Sequence, residues 1–250
     1  MVGAGTGLIV DNINIIEGIF SVLVILWVTF MFLKHKKDYK LNLALLKEKN
    51  VKIDIFKVLV YQFLFSIGTF CLLTAIIYIT KPAWMYKVLN SSPSTGNMYT
   101  DFILIVIFAP ILEELIFRGV LFSRFNKKWG FAVAALVSSI LFGLLHIEMA
   151  MVGAIAFGFC QCILFEKYDN IAIPIMVHFI NNFLCIVFDG IFSLFSSSPE
   201  AEITTQTVIS SSDIIMQLSI GILFLIPSTI LTIKFIKHNW PKKERVSLEL

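Results

Sequence analysis

The chain has 250 residues, 58% of them hydrophobic and 15% charged, with a formal net charge of +3 and a mean hydropathy of +0.87. Soluble domains usually carry about a quarter charged residues, so a water-soluble globular enzyme is excluded and a polytopic membrane protein is indicated. At roughly 20 apolar residues per spanning helix, the length holds roughly six to eight spans and no sizeable soluble core.

The net charge says nothing for nucleic acid, because basic residues in such a chain are read loop by loop. The N-terminal stretch lacks a basic leader and a small-residue cleavage site, so a retained first helix is expected from about Ile13 to Leu33. Eight lysines follow between Lys34 and Lys57 and mark that loop cytoplasmic. Within it Leu41, Leu45, Leu46, Ile53 and Phe56 recur near helical spacing, as in an amphipathic helix lying on an anionic leaflet.

A second span is expected from about Ile55 to Thr80, leaving through Lys81-Pro82-Ala83-Trp84 into the turn-rich stretch Asn90 to Asn97. Trp84, Tyr86 and Tyr99 fit an interfacial aromatic belt on that outer side. The third span, about Asp101 to Phe122, ends at Arg124, Lys127 and Lys128. A fourth apolar run goes from about Phe131 to His146, a fifth from about Met149 to Phe165, and a sixth from Ile171 to Phe188. The Ser-rich, acidic loop Ser193 to Asp213 contains no Lys or Arg, and a seventh span, Ile214 to Ile236, leads into a basic tail.

With the N-terminus outside, 17 of the 20 Lys and Arg fall on the cytoplasmic side: the eight of Lys34 to Lys57, three from Arg124 to Lys128, Lys167, and five from Lys234 to Arg245. The expectation is therefore an all-α bundle of about seven spans, forming one membrane domain over residues 1–250, with the C-terminus cytoplasmic. No internal repeat of the transporter kind is visible. Cys71, Cys160, Cys162 and Cys185 all sit in apolar runs without Cys-x-x-Cys spacing and are expected as small buried hydrophobes.

Polar residues inside the apolar runs carry the functional signal. Glu113, Glu114 and Arg118 lie within a run otherwise fit to cross a bilayer, where each charge costs at least about 2.5–3.5 kcal/mol. Glu114 and Arg118 are i and i+4 and can pair on one helix face, while Glu113 projects about 100° away. This divides them into a paired, structural Glu114 and a working Glu113. Pro110, one turn earlier, cannot donate to the carbonyl of Val106 and is expected to bend the helix and admit water. A purely structural ion-pair cluster leaves Glu113 unexplained.

Phe142 and His146 share one helical face, as do His178 and Asn182, and two membrane histidines beside mid-membrane carboxylates point to a shared site. His146-Ile147-Glu148 matches half of a zinc deaminase signature, but the Pro-Cys-x-x-Cys half is missing. Neither a His-Glu-x-x-His helix nor a Gly-x-Ser-x-Gly elbow occurs. Gln62, Gln161, Asn181 and Asp189 are single polar residues read as interhelical hydrogen bonds or span ends. A proton-coupled transporter and a non-enzymatic membrane scaffold remain the competing classes.

Glu113-Glu114-x-x-x-Arg118, Phe142-x-x-x-His146 and His178-x-x-x-Asn182, in that order on successive apolar segments, resemble the three-motif pattern of the CPBP family. These are the type II CAAX prenyl proteases and the bacteriocin-processing, abortive-infection-like intramembrane proteases. The resemblance covers about Phe102 to Asp189, which it marks as a catalytic core, and every motif position is filled.

It implies an intramembrane endopeptidase, in a bacterial cell membrane, acting on a membrane-associated or lipidated peptide or protein substrate. Relatives of this kind are linked to peptide maturation and bacteriocin immunity. The implied roles are Glu113 as general base helped by His146, His178 and Asn182 as oxyanion stabilisers, and Glu114 with Arg118 as residues that orient Glu113. No cofactor is favoured; zinc held by Glu113, His146 and His178 is the alternative, since one carboxylate and two histidines with an open position suit a catalytic zinc. Beyond substrate and membrane lipid no partner is implied, and no nucleic acid.

Depth poses a difficulty. At about 1.5 Å per residue, Glu113 is roughly 16 Å from Arg124, whereas His146 is about 27 Å from Lys128. The two meet only if the stretch Trp129 to Ala134 lies at the interface, or if the helix tilts or kinks.

Overall fold

The computed structural model describes residues 30, 40–81, 102–146, 149–195 and 210–242, apart from the side chains of 189 and 191–195. Most of the expected first span, the Asn90 to Asn97 stretch and its aromatic belt, most of the acidic loop, and the basic tail beyond residue 242 lie outside the described residues. Among the described residues every regular element is helical, and the protein is an all-helical integral membrane bundle.

Helix α1, Lys49–Thr80, begins six residues before the expected start. Val51, Asp54, Ile55 and Val58 are buried along it at i, i+3, i+4 and i+7, the stripe of a helix packed on a core. Of the amphipathic spacing read in the lysine loop, Ile53 and Phe56 belong to the first turns of the span itself, while Leu41, Leu45 and Leu46 precede it. Only Leu43–Lys47 stands apart, as a short 3-10 turn whose Asn42 side chain accepts from the Ala44 N–H.

The path of residues 102–129, here α2, is continuous but not regular: π-helical over Phe102–Phe108, α-helical over Ala109–Glu114, π-helical again over Leu115–Phe122 and α-helical over Ser123–Trp129. Pro110 sits buried at the start of the first α-helical segment, next to the π-to-α junction. It marks a change of winding rather than a break, and π segments within helices commonly accompany functional sites.

Gly130 closes α2 at φ 77°, a conformation that a side chain would strain. Helix α3, Phe131–Leu144, returns directly from it. The hairpin's register is set by Phe122 against Phe131 (ring centroids 5.7 Å), Phe117 against Phe142 (5.2 Å), and the Ser138 hydroxyl donating to the Phe117 carbonyl at 3.0 Å.

This register removes the depth difficulty without an interfacial segment. Because α2 stays helical through Trp129, depth is counted for both strands of the hairpin from Gly130. Glu113 lies 17 residues before that turn and His146 lies 16 after it, so the two are level.

Helix α4, Met151–Tyr168, is the most buried, with every residue from Cys160 to Phe165 inside. It ends on Asp169 in the left-handed region, and α5, Ala172–Phe195, follows. Helix α6, Ser211–His238, opens on a capping box formed by Ser210 and Asp213, three residues ahead of the expected boundary.

Among the described residues three helices, α1, α4 and α6, are long and apolar enough to cross a membrane, and α3 and the Ala172–Phe188 part of α5 are shorter apolar stretches. Helices α1 and α6 approach closely through Gly68 and Gly221. A Cβ on Gly68 would stand 2.6 Å from the Leu225 nitrogen, and one on Gly221 3.0 Å from the Leu72 nitrogen. Small residues at crossings are how helices pack where lipid removes the hydrophobic drive.

One end of the bundle is tied by polar contacts. Lys167 reaches Asp54 at 2.5 Å and Asn239 at 2.6 Å, and Tyr168 donates to Asp54 at 2.8 Å. Asn170 and Asn42 exchange two hydrogen bonds. These join α1, α4, α6 and the segment before α1. Gln62 donates to the Gly153 carbonyl and Gln161 to the Pro174 carbonyl, the interhelical bonds expected of them. Of the cysteines, Cys160 and Cys162 are buried, Cys71 is half-buried and Cys185 is exposed. The expectation of burial fails for Cys185, which is exposed.

Candidate active site

The site forms where α2, α3, α4 and α5 meet. Glu114 and Arg118 are both fully buried and pair at 2.9 Å through Nη1 and Oε1. The i,i+4 spacing survives the start of the second π segment, which begins one residue after Glu114.

The guanidinium is enclosed on several sides. Its Nη2 donates to the Gly158 carbonyl at 3.1 Å, and its carbon lies 4.5 Å from the Phe142 ring centroid. A Cβ on Gly158 would come within 3.0 Å of that Nη2, so the glycine supplies both an acceptor and the room to reach it.

Glu114 has a second partner. The same Oε1 accepts from His178 Nδ1 at 2.9 Å. An ionised carboxylate can only accept, so Nδ1 carries the proton and Nε2 is the nitrogen turned outward. The ring is gripped edge-on by Phe142 (5.6 Å) and Phe157 (5.5 Å). Arg118 and Glu114 therefore orient His178, rather than Glu113 as the family roles had implied.

Glu113 projects to the other side and is about one-third exposed. Its Oε2 is buried, makes no hydrogen bond among the described residues, and lies 3.9 Å from His178 Nε2. The adjacent glutamates thus differ sharply: one is locked by two cations or donors, the other is aimed at a histidine and otherwise uncommitted.

His146 lies two residues beyond the end of α3, with Nδ1 2.9 Å from the Phe142 carbonyl. A carbonyl only accepts, so Nδ1 is again the donor and Nε2 is free. Its ring lies tilted against Phe142, with centroids 4.6 Å apart, and Phe142 also contacts His178 and Arg118. Among the described residues His146 forms no hydrogen bond to Glu113. Asn182, one turn beyond His178, donates through Nδ2 to the Ile105 carbonyl at 2.9 Å, bridging α5 to the first π segment. An amide nitrogen carries two hydrogens, so one remains.

Residues 95–184, which include all six of these positions, match the family described as "Type II CAAX prenyl endopeptidase Rce1-like". Over this region the chain is similar to the CAAX-protease family. A further similarity, 34% identity over 82 residues, links 32% of the chain to 34% of "Putative membrane peptidase YdiL" of Bacillus subtilis (strain 168). The matched part is thus about a third of that relative's length. No solved structure matches.

Within this matched region the sequence motifs miss three contributors: Gly158, Phe157 and the Ile105 carbonyl. Gly158 left a trace as a small residue in an apolar helix. A backbone carbonyl leaves none.

Proposed function

We propose that the protein is an intramembrane endopeptidase in which Glu113 activates water. The observation that carries this reading is the contrast between the two glutamates, with Glu114 committed to Arg118 and His178 while Glu113 Oε2 faces His178 Nε2 without a hydrogen bond. A general base must be uncommitted and within reach of water, and partial exposure supplies the reach.

Water attacking the scissile carbonyl carbon passes one proton to Glu113, and the carbonyl electron pair moves to oxygen. The developing oxyanion takes a hydrogen bond from the second Asn182 hydrogen, and from His178 Nε2 when that nitrogen carries a hydrogen as well as Nδ1. Collapse of the intermediate breaks the C–N bond, and the proton held by Glu113 goes to the leaving amine. His146 Nε2, exposed to the same space by its tautomer, assists the proton movement. The CAAX-family resemblance supplies the substrate class, a membrane-associated or lipidated peptide.

A zinc-dependent form would use Glu113, His146 and His178. A histidine whose other nitrogen is bound to a carboxylate, as His178 is to Glu114, is the habit of metal ligands. Yet no three His, Cys, Asp or Glu side chains among the described residues are gathered to hold a metal ion. The metal-free reading rests instead on the contrast between the two glutamates, which accounts for both without a metal.

The test is turnover of purified protein before and after prolonged chelation, with Glu113→Gln and Asn182→Ala alongside. Activity that survives chelation, falls by roughly 10²–10⁴ in Glu113→Gln, and falls by roughly 10²–10³ in Asn182→Ala is expected. Stoichiometric zinc whose removal stops turnover overturns the metal-free assignment. Full processing by Glu113→Gln overturns the enzyme reading in favour of a scaffold.

A further inference from the structure

At the polar-tied end of the bundle, away from the candidate active site, Lys47, Lys49, Lys52 and Lys57 line an open cavity of about 510 Å³ with Ile53 and Phe56. Among the described residues Lys47, Lys49 and Lys52 form no ion pair, and Lys57 has only a long contact of 3.9 Å to Asp54. Asp54 itself is buried and engaged by Lys167 and Tyr168, which leaves Glu48 as the acid beside the cavity. The apolar wall is exposed: Phe56 by 68% and Ile53 by 39%.

The level of this cavity follows from length. Helix α1 has 32 residues, so it is about 48 Å long at about 1.5 Å per residue, against roughly 30 Å of hydrocarbon and roughly 40–45 Å with the headgroup layers. A helix of that length outreaches the hydrocarbon layer, so its lysine-bearing first turns fit headgroup depth, with Phe56 and Ile53 exposed beside them. Cationic side chains above and apolar ones below match the profile of one anionic phospholipid. Lysine binds phosphate as a flexible point charge, and clustered lysines at the membrane surface attract anionic lipid.

We propose that this cavity is a specific binding site for an anionic phospholipid, its phosphate held by Lys47, Lys49 and Lys52 and an acyl chain lying on Ile53 and Phe56. The inference is independent of the proposed protease activity.

Full-length protein in detergent, titrated with phosphatidylglycerol, phosphatidylcholine or inorganic phosphate, is read by lipid retained in native mass spectrometry and by thermal stability. One phosphatidylglycerol retained in preference to phosphatidylcholine is expected, with at least a tenfold loss of affinity in Lys47→Gln/Lys49→Gln/Lys52→Gln. A smaller loss is expected in Phe56→Ala, and none in Lys127→Gln/Lys128→Gln, which alters another basic surface. Equal weakening by the Lys127/Lys128 variant would reduce the effect to bulk surface charge and overturn the proposal. So would competition by inorganic phosphate at equal concentration, or unchanged retention in the triple variant.

Discussion

Adjacent glutamates in one helix turn carry different burdens because α2 directs them to different neighbours. Glu114 Oε1 is shared by Arg118 and His178 in a region closed to water. Removing one member of a buried charged set costs about 3–5 kcal/mol, since the remaining charge is left without compensation. Glu114→Gln is therefore expected to lower folded yield and thermal stability, whereas Glu113→Gln keeps wild-type stability and loses turnover. Equal yield and equal activity in the two variants would refute the division.

Gly158→Ala belongs to the same argument. Its methyl group would press on Arg118 Nη2 at 3.0 Å and on Ser139 at 3.3 Å, and overpacking of this kind costs about 1–3 kcal/mol. A drop in melting temperature in the purified protein checks it.

At the scale of elements, the irregular winding of α2 does the positioning. The first π segment offers the Ile105 carbonyl to Asn182, and the second begins right after Glu114. The tight α1–α6 crossing is a separate device that holds the bundle without entering the site. Gly68→Val would drive side-chain atoms into the Leu225 backbone, 2.6 Å from the first added carbon. It should lower thermal stability by at least the cost of overpacking, about 1–3 kcal/mol. Gly190→Ala, where no described atom lies within 4 Å of the new carbon, should change it little, and a similar loss from both would show that the crossing is not what the glycine protects.

For the whole molecule, the lysine asymmetry predicts that residues 34–57 and the C-terminal tail face the cytoplasm. Single-cysteine versions carrying Lys40→Cys, Asn97→Cys or Ser197→Cys should react with an impermeant reagent from outside intact cells only at the latter two. Labelling of Lys40→Cys alone would invert the topology. The end tied by Lys167, Asp54, Asn170 and Asn42 would then be the outer one, and the lysine cavity with it.

The sequence by itself determined the solvent, the helical class, the six polar positions and the Glu114–Arg118 pair, because burial cost and the 3.6-residue period are local properties written in residue type and spacing. It misplaced the start of α1, since lysines on the outer face of a helix read as a loop until the buried stripe of Val51, Asp54, Ile55 and Val58 is seen against its neighbours. It made His146 too deep, since the end of α2 at Gly130 depends on where the chain turns and not on where its charges begin. The partner of Glu114 across the bundle, His178, and the cradle of Gly158 and Ile105 carbonyls were decided only by tertiary structure. Contacts between residues 40 to 77 positions apart depend on how helices cross, and a backbone carbonyl has no letter in the sequence.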